Sequence, residues 1–170
     1  MHSFRQRAAQ GLQQGDRFSL SRCFTREDIQ RFAEVSRDYN PVHFDAAFAQ
    51  SRGFRQPVSH GLLTASLVTE VGGQIGWLAS AMSFQFRRPV YPGDTVTCHW
   101  LITEVDARGR ATAVITLTHE DGAIVLEGET RGVLPGKQER QLLSQMLAEG
   151  DPGNPLAHSG AQVLKDDAPR

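Results

Sequence analysis

A chain of 170 residues with 39% hydrophobic content predicts one domain with its own core, and 18 basic residues against 19 acidic ones exclude the strongly basic surface of a nucleic-acid-binding protein. Cys23 and Cys98 are isolated, which excludes a disulfide framework and a cysteine zinc site and is typical of a cytoplasmic protein. No apolar run reaches membrane-spanning length, so we expect no membrane partner.

The first part of the chain predicts a leader, a strand and two helices. Residues 1–15 lack the apolar core of a secretory signal, and the alternating segment after them predicts a strand. Thr25 with Asp28 three residues later is typical of the first turn of a helix. We expect Pro41 to end that helix, because proline pushes the preceding residue out of the helical region. A shorter helix is predicted from Asp45.

The next part predicts one buried helix followed by strands. Residues 60–77, HGLLTASLVTEVGGQIGW, are almost free of charge and apolar around nearly the whole circumference, which is typical of a helix buried on all sides. Four β-rich segments follow, and Asp121-Gly122 favours a tight hairpin turn; the segments lie within residues 80–90, 94–106, 110–120 and 123–134. This order predicts an α+β fold in which a curved antiparallel meander wraps a central helix.

The C-terminal residues 137–170 differ in composition from the rest of the chain. They hold one short amphipathic segment, predicted as a helix, and then a Gly-, Pro- and Asp-rich end with little to bury. We therefore predict a leader over residues 1–15, one domain over 16–136, and a tail over 137–170 whose end is disordered.

The decapeptide SRDYNPVHFD, residues 36–45, concentrates titratable side chains directly after the predicted helix. Asp38 and His43 are five positions apart, a spacing that does not stack on one helical face, so we expect them to project from a loop. Asn40 and Pro41 suit a tight turn that folds the imidazole back toward the carboxylate. An Asp and a His directed at one water form a general acid–base unit.

Two other interpretations of the decapeptide stay open at this point. Asp, Asn and Pro are common in loops without any catalytic role, and a single His is often structural. A metal site would use Asp38, His43 and Asp45. However, no second histidine lies at ligand spacing, and His60 has no partner at i+3 or i+4, so we predict no metal.

Three motifs in order, SRDYNPVHFD, GFRQPVSHGLLTASLV and FRRPVYPGDTV, resemble those of the MaoC-like dehydratases, which include the (R)-specific enoyl-CoA hydratases. The resemblance extends roughly from Asp16 to Leu134. It implies a single hot-dog domain, in which an antiparallel sheet wraps a long central helix, in agreement with the fold expected above. It also implies a homodimer with the active site near the interface, since pairing would cover an exposed edge strand.

The resemblance implies reversible hydration of a trans-2-enoyl thioester, with coenzyme A as the expected carrier, to an (R)-3-hydroxyacyl thioester, without a cofactor. Asp38 and His43 match the family's catalytic pair, and Asn40 would orient the loop or the water. Gly61 matches the glycine whose N–H points at the thioester oxygen, and the start of a helix favours an oxyanion. Thr69 matches a family serine and adds a methyl group.

Two further arginines and two departures from the family pattern bear on the substrate. Arg87 and Arg88 are candidates for coenzyme A phosphate contacts, because guanidinium suits phosphate, although surface arginines are usually only solvated. Many relatives have Gly at Arg37. The segment between the buried helix and the next strand is shorter than in the hydratases, which leaves acyl chain length open.

Two alternatives to the hydratase remain. Hot-dog thioesterases share the fold but generally present a lone carboxylate instead of a D-x-N-P-x-H loop. A non-catalytic acyl-binding module would keep the apolar pocket and leave the pair idle.

Overall fold

The computed structural model describes residues 3–156, so most of the tail end predicted to be disordered lies outside the described residues. In chain order the elements are α1 (Phe4–Gln10), β1 (Arg17–Cys23), α2 (Arg26–Ser36), a 3-10 turn (Pro41–His43), α3 (Ala46–Ser51), α4 (Gly61–Ile75), β2 (Leu78–Phe86), β3 (Thr95–Val105), β4 (Arg110–His119), β5 (Ile124–Val133) and α5 (Lys137–Ala148). Within residues 3–156, no helix is both long and apolar enough to cross a membrane.

The strands form one antiparallel sheet in the order β1-β3-β4-β5-β2. Strands β3, β4 and β5 form the predicted meander, but β2 pairs with β5 and not with β3, so the prediction of one continuous meander was wrong at β2. The connection from β2 to β3 contains Pro89 and Pro92. It joins the edge strand β2 to a strand near the opposite edge of the sheet. Prolines lack the N–H that hairpin pairing needs, so this segment does not form a tight turn.

Helix α4 packs on the sheet and supplies much of the core, as predicted. Leu67, Val68, Val71 and Ile75 are completely buried. The expectation that this helix is buried on all sides was wrong along one stripe, where Leu62, Thr69 and Gly73 are exposed.

The segment predicted as a leader contributes α1 to the same core. Phe4 and Ala8 are buried, and the Phe4 ring meets Phe18 of β1 edge-on at 5.1 Å. Helix α5, predicted from its amphipathic pattern, packs against α1 and buries Leu143. An ion pair between Arg7 and Asp16 joins α1 to the residue before β1. The compact body therefore includes residues on both sides of the predicted 16–136 range.

Candidate active site

Helix α2 precedes the candidate site, and it ends at a residue with a strained backbone conformation. It begins at the predicted cap, where Thr25 and Asp28 form a reciprocal capping box. It ends at Ser36, because Arg37 adopts the left-handed conformation with a φ of 59° and donates its N–H to Ala33. The prediction that Pro41 ends the helix was therefore wrong. A left-handed residue terminates the helix first.

Hydrogen bonds from backbone N–H groups to side chains two residues earlier then shape the loop that carries Asp38. The Asp38 Oδ1 atom accepts the Asn40 N–H at 3.2 Å, and the Asn40 Oδ1 atom accepts the Val42 N–H at 3.2 Å. Asn40 thus caps the 3-10 turn that ends at His43. Asn40 is therefore placed to orient the loop, one of the two roles considered for it from the sequence, and its role in the site stays a prediction.

The loop brings Asp38 and His43 together. The distance from Asp38 Oδ2 to His43 Nε2 is 3.8 Å, and the Asp38 side chain is 49% exposed while that of His43 is 10% exposed. The His43 Nδ1 atom lies 2.8 Å from the Val58 carbonyl. A carbonyl only accepts, so Nδ1 carries the proton and the Nε2 lone pair faces the carboxylate.

Burial is the main cause that lowers the pKa of the His43 imidazole below its ordinary value of 6.5. The neighbouring His60 also lowers this pKa, whereas the hydrogen bond to Val58 and the charge of Asp38 act in the opposite direction. The imidazole is therefore neutral near pH 7, in the form that accepts a proton.

The two acceptor atoms are spaced for a shared water. At 3.8 Å, Asp38 Oδ2 and His43 Nε2 are too far apart for a direct hydrogen bond. A water at about 2.8 Å from each would donate one hydrogen to the carboxylate and one to the imidazole. This geometry suits removal of a proton from that water.

His60 is the residue that sequence reasoning set aside. It is 1% exposed, its ring stacks on that of His43 with centroids 3.7 Å apart, and its Nε2 atom lies 2.9 Å from the Asp38 carbonyl. The available signal was a titratable residue directly before a helix in which Glu70 is the only charged residue. Its loop partners lie 17 or more residues away in sequence, so the i+3 and i+4 test did not detect them.

Asp38, His43 and His60 also form a group whose potential metal-ligand atoms lie within 4.8 Å of one another. Asp45 is not part of this group; it caps α3 through the Phe48 N–H at 2.7 Å. The two imidazole planes meet at only 29°. Ring nitrogens bind a metal in the plane of the ring, so stacked rings do not direct their lone pairs at one point. The arrangement suits hydrogen bonding better than metal binding, and the absence of a metal stays a prediction.

A cavity of about 380 Å³ adjoins His43, whereas Asp38 is not among the described residues that line it. Its walls include His43, Gly61, Phe86, Arg87 and Arg88. Gly61 is the first residue of α4, and in residues 3–156 the preceding His60 makes no side-chain cap. The first N–H groups and the positive end of the helix dipole therefore lie at the wall of the cavity. A Cβ at Gly61 would sit 2.9 Å from the Phe86 ring, so a larger residue here would require that ring to shift.

The remaining predicted site residues divide into two groups. Arg87 and Arg88 line the cavity, where Arg87 pairs with Glu127 at 2.8 Å and Arg88 donates to the Ile124 carbonyl at 3.2 Å. Thr69 is exposed about two turns further along α4, donates to the Ser66 carbonyl, and is not among the described residues that form the cavity wall.

Thr64 provides a hydroxyl at the cavity instead. It is buried, lines the cavity wall, and its Oγ1 atom lies 3.3 Å from the His60 carbonyl. Sequence reasoning missed this residue, because helical spacing alone did not show which face of α4 meets the cavity.

An antiparallel sheet packed on one long helix, with an Asp–His loop beside the start of that helix, defines the class of protein. The family model described as MaoC like domain matches residues 7–123, and the chain belongs to this MaoC-like dehydratase family. The resemblance inferred from the three sequence motifs is confirmed.

Curated relatives and solved structures agree with this assignment. The chain is 35% identical over 133 residues to the (R)-specific enoyl-CoA hydratase of Aeromonas caviae, covering 75% of this chain and 99% of that protein. It is 32% identical over 132 residues to a mitochondrial 3-hydroxyacyl-[acyl-carrier-protein] dehydratase of Arabidopsis thaliana, covering 73% and 78%. An (R)-hydratase structure from A. caviae matches with a TM-score of 0.69 at 34% identity, covering 74% of this chain and 99% of that one. The hot-dog fold is confirmed.

Proposed function

We propose that the protein catalyses the reversible hydration of trans-2-enoyl thioesters to (R)-3-hydroxyacyl thioesters. The observation that carries this proposal is the 3.8 Å separation of Asp38 and His43 beside the cavity at the start of α4. The names of the relatives, enoyl-CoA hydratase and 3-hydroxyacyl dehydratase, support the same chemistry. The stereochemistry at C3 is proposed from the relative that is named as (R)-specific.

The proposed reaction adds one water across the C2=C3 bond. Asp38 and His43 accept hydrogen bonds from the water, one of its protons passes to the pair, and its oxygen forms the bond to C3. The π electrons move toward the thioester carbonyl, where the Gly61 N–H and the helix dipole stabilise the enolate oxygen. The pair then returns a proton to C2, so that both hydrogens of the water are accounted for.

We propose coenzyme A as the thioester carrier, with Arg87 and Arg88 as candidates to contact its phosphates. Both side chains line the cavity. Each guanidinium has five N–H donors, so the contacts to Glu127 and Ile124 leave further donors for an anion. The curated relatives include proteins named for coenzyme A and for acyl carrier protein, so comparison of both substrates tests this part of the proposal.

We further propose a cytoplasmic homodimer formed through β2. This strand lies at one edge of the sheet and exposes Leu78, Met82 and Phe86. An exposed apolar edge is normally covered, and pairing with a second copy would cover it. A single species of monomer mass in analytical ultracentrifugation would contradict this proposal.

The experiment mixes purified protein with trans-2-enoyl-CoA substrates of several chain lengths and follows the loss of enoyl-thioester absorbance. Asp38→Asn and His43→Ala should each lower the rate by at least about 10²-fold, as removal of a positioned acid–base group predicts. Asp45→Asn is the matched control, because Asn caps a helix as well as Asp does and Asp45 caps α3 outside the cavity.

Release of free thiol from the substrate would identify a thioesterase instead, because hydration leaves the thioester bond intact. A wild-type protein that is inactive with every coenzyme A and carrier-protein substrate, and whose acyl binding is unchanged by Asp38→Asn, would be a binding module.

A further inference from the structure

His60 occupies the cap position of α4 without capping that helix. Its side chain instead reaches the loop between α2 and α3, where Nε2 lies 2.9 Å from the Asp38 carbonyl. Because a carbonyl only accepts, Nε2 carries the proton and Nδ1 carries the lone pair. Cap positions favour Ser, Thr, Asp and Asn, so a histidine there gives up a helix cap for a contact with the loop.

The ring of His60 is enclosed by other rings. It stacks on His43 at 3.7 Å, meets Phe32 at 5.0 Å and meets Phe44 at 6.1 Å. Its Nδ1 atom is buried and has no hydrogen-bond partner among the described residues. A buried polar atom without a partner opposes folding, so packing alone would be served better by an apolar side chain at this position.

We infer that His60 is a positioning residue that holds the acid–base loop in register with the start of α4. His60 connects the three parts of the candidate site. Its side chain contacts the Asp38 carbonyl through the Nε2–H group and stacks on the His43 ring, and its backbone is joined to Gly61 by a peptide bond. The inference rests on the proposed hydration reaction, in which the water held by the loop must meet a thioester held at Gly61.

His60 also covers one face of the His43 imidazole and excludes water from it. This cover favours the neutral imidazole, because a charged ring loses hydration there. The groups that act electrostatically on His43 are His60 from α4 and Asp38 from the loop, while Arg87 and Arg88 line the same cavity from the segment after β2. Removing the cover should therefore make His43 easier to protonate.

Two substitutions test separately the contribution of the His60 N–H and that of the His60 ring. His60→Phe keeps a ring against His43 and removes the N–H to Asp38, so kcat should fall by at least about 10-fold with little change in KM, because displacement of a reacting group is costly. His60→Gln keeps a donor near the Nε2 position and removes the ring. It should recover part of kcat and move the acid limb of the pH profile to higher pH.

Val71→Ala is the matched control. Val71 is completely buried further along α4, so this variant loses stability without touching the loop, and it should keep the wild-type pH profile and nearly the wild-type kcat. Histidine nitrogen chemical shifts provide a readout that does not depend on turnover. They should show His60 protonated at Nε2 and not at Nδ1 in the wild type.

Wild-type kcat and an unchanged pH profile in both His60 variants would overturn the inference, as would a His60 protonated at Nδ1. If the wild type hydrates no enoyl thioester, the proposed function fails. In that case, faster amide exchange of residues 38–43 in His60→Phe than in Val71→Ala would still support the positioning role, and equal exchange would overturn it.

Discussion

At the residue scale, the proposed chemistry depends on the ionisation state of His43. The imidazole donates from Nδ1 to a backbone carbonyl and presents its Nε2 lone pair to the carboxylate 3.8 Å away. This orientation is the productive one for accepting a proton from water, and it is lost when Nε2 is protonated.

The pH dependence of activity follows from the lowered pKa of His43. Because burial shifts this pKa below 6.5, the neutral form persists as the pH falls through that value. We expect kcat/KM to stay level from about pH 8 to about pH 6.5 and to fall only in more acidic solution. His99→Gln, at an exposed strand position, should reproduce the wild-type curve. An acid limb centred above pH 6.5 would contradict the expectation.

Arg37 offers a separate test of backbone strain beside the site. Its φ of 59° is unfavourable for a residue with a Cβ, so Arg37→Gly should stabilise the protein by about 0.5–1 kcal/mol after allowing for the greater freedom of glycine in the unfolded chain. Urea unfolding measures the difference. Arg37→Ala removes the same side chain and keeps the strain, so a similar gain from alanine would assign the effect to the side chain instead.

At the element scale, the cavity wall depends on how closely β2 approaches β5. Phe84 of β2 lies opposite Gly128 of β5, and its ring covers the glycine. A Cβ at Gly128 would overlap the Ser83 carbonyl oxygen and lie 2.7 Å from the Phe84 ring. Close approach at this point holds the end of β2, and with it Phe86, against the cavity.

Gly128→Ala should therefore destabilise the protein by about 1–3 kcal/mol, the usual range for overpacking. Thermal or urea unfolding gives this value. Glu129→Ala is the control, because this neighbouring side chain pairs with Arg131 at the surface and its loss should change stability by less than about 0.5 kcal/mol. Equal stability of the two variants would show that β2 can move away from the added methyl group at little cost.

Local patterns predicted the elements better than their ends and partners. The capping box at Thr25 and Asp28 depends on residues three positions apart, and the structure confirms it, as it confirms the short helix predicted from Asp45. The end of α2 depends on Arg37 adopting a conformation that arginine seldom adopts, and the pairing of β2 depends on strands some 40 residues apart. Neither has a local signal.

The same distinction applies to the candidate site. Asp38 and His43 lie within one decapeptide, so their proximity could be predicted from turn residues between them. His60 and Thr64 reach the site through the packing of α4, which a single sequence does not reveal. Thr69 differs in the opposite way from His60 and Thr64. Its position in the sequence motif suggested a place in the site, but in the described chain it does not belong to the cavity wall and donates to the Ser66 carbonyl.

At the scale of the whole molecule, the two ends of the described chain close the same side of the core. Helix α1 and helix α5 pack together, and Phe4 is 2% exposed against Phe18. The residues before the first strand therefore contribute to the stability of the domain, although their polar sequence had indicated a leader.

Phe4→Ala should lower the free energy of unfolding by about 3 kcal/mol, the scale expected for a buried phenylalanine. Gln10→Ala, an exposed position of the same helix, should be nearly neutral. Urea unfolding compares them. A Phe4→Ala variant as stable as the wild type would mean that α1 adds no stability.

The candidate acid–base pair, His60 and Gly61 all lie between residues 38 and 61, whereas other walls of the cavity come from residues 86–90 and Val125. Part of the cavity wall thus comes from stretches of the chain that are separate from the candidate acid–base residues. Under the proposed function, substitutions at Phe86, Val90 or Val125 would reshape the cavity while the candidate reacting groups stay unchanged. Such an arrangement would let related proteins diverge in the acyl groups they accept without passing through an inactive ancestor.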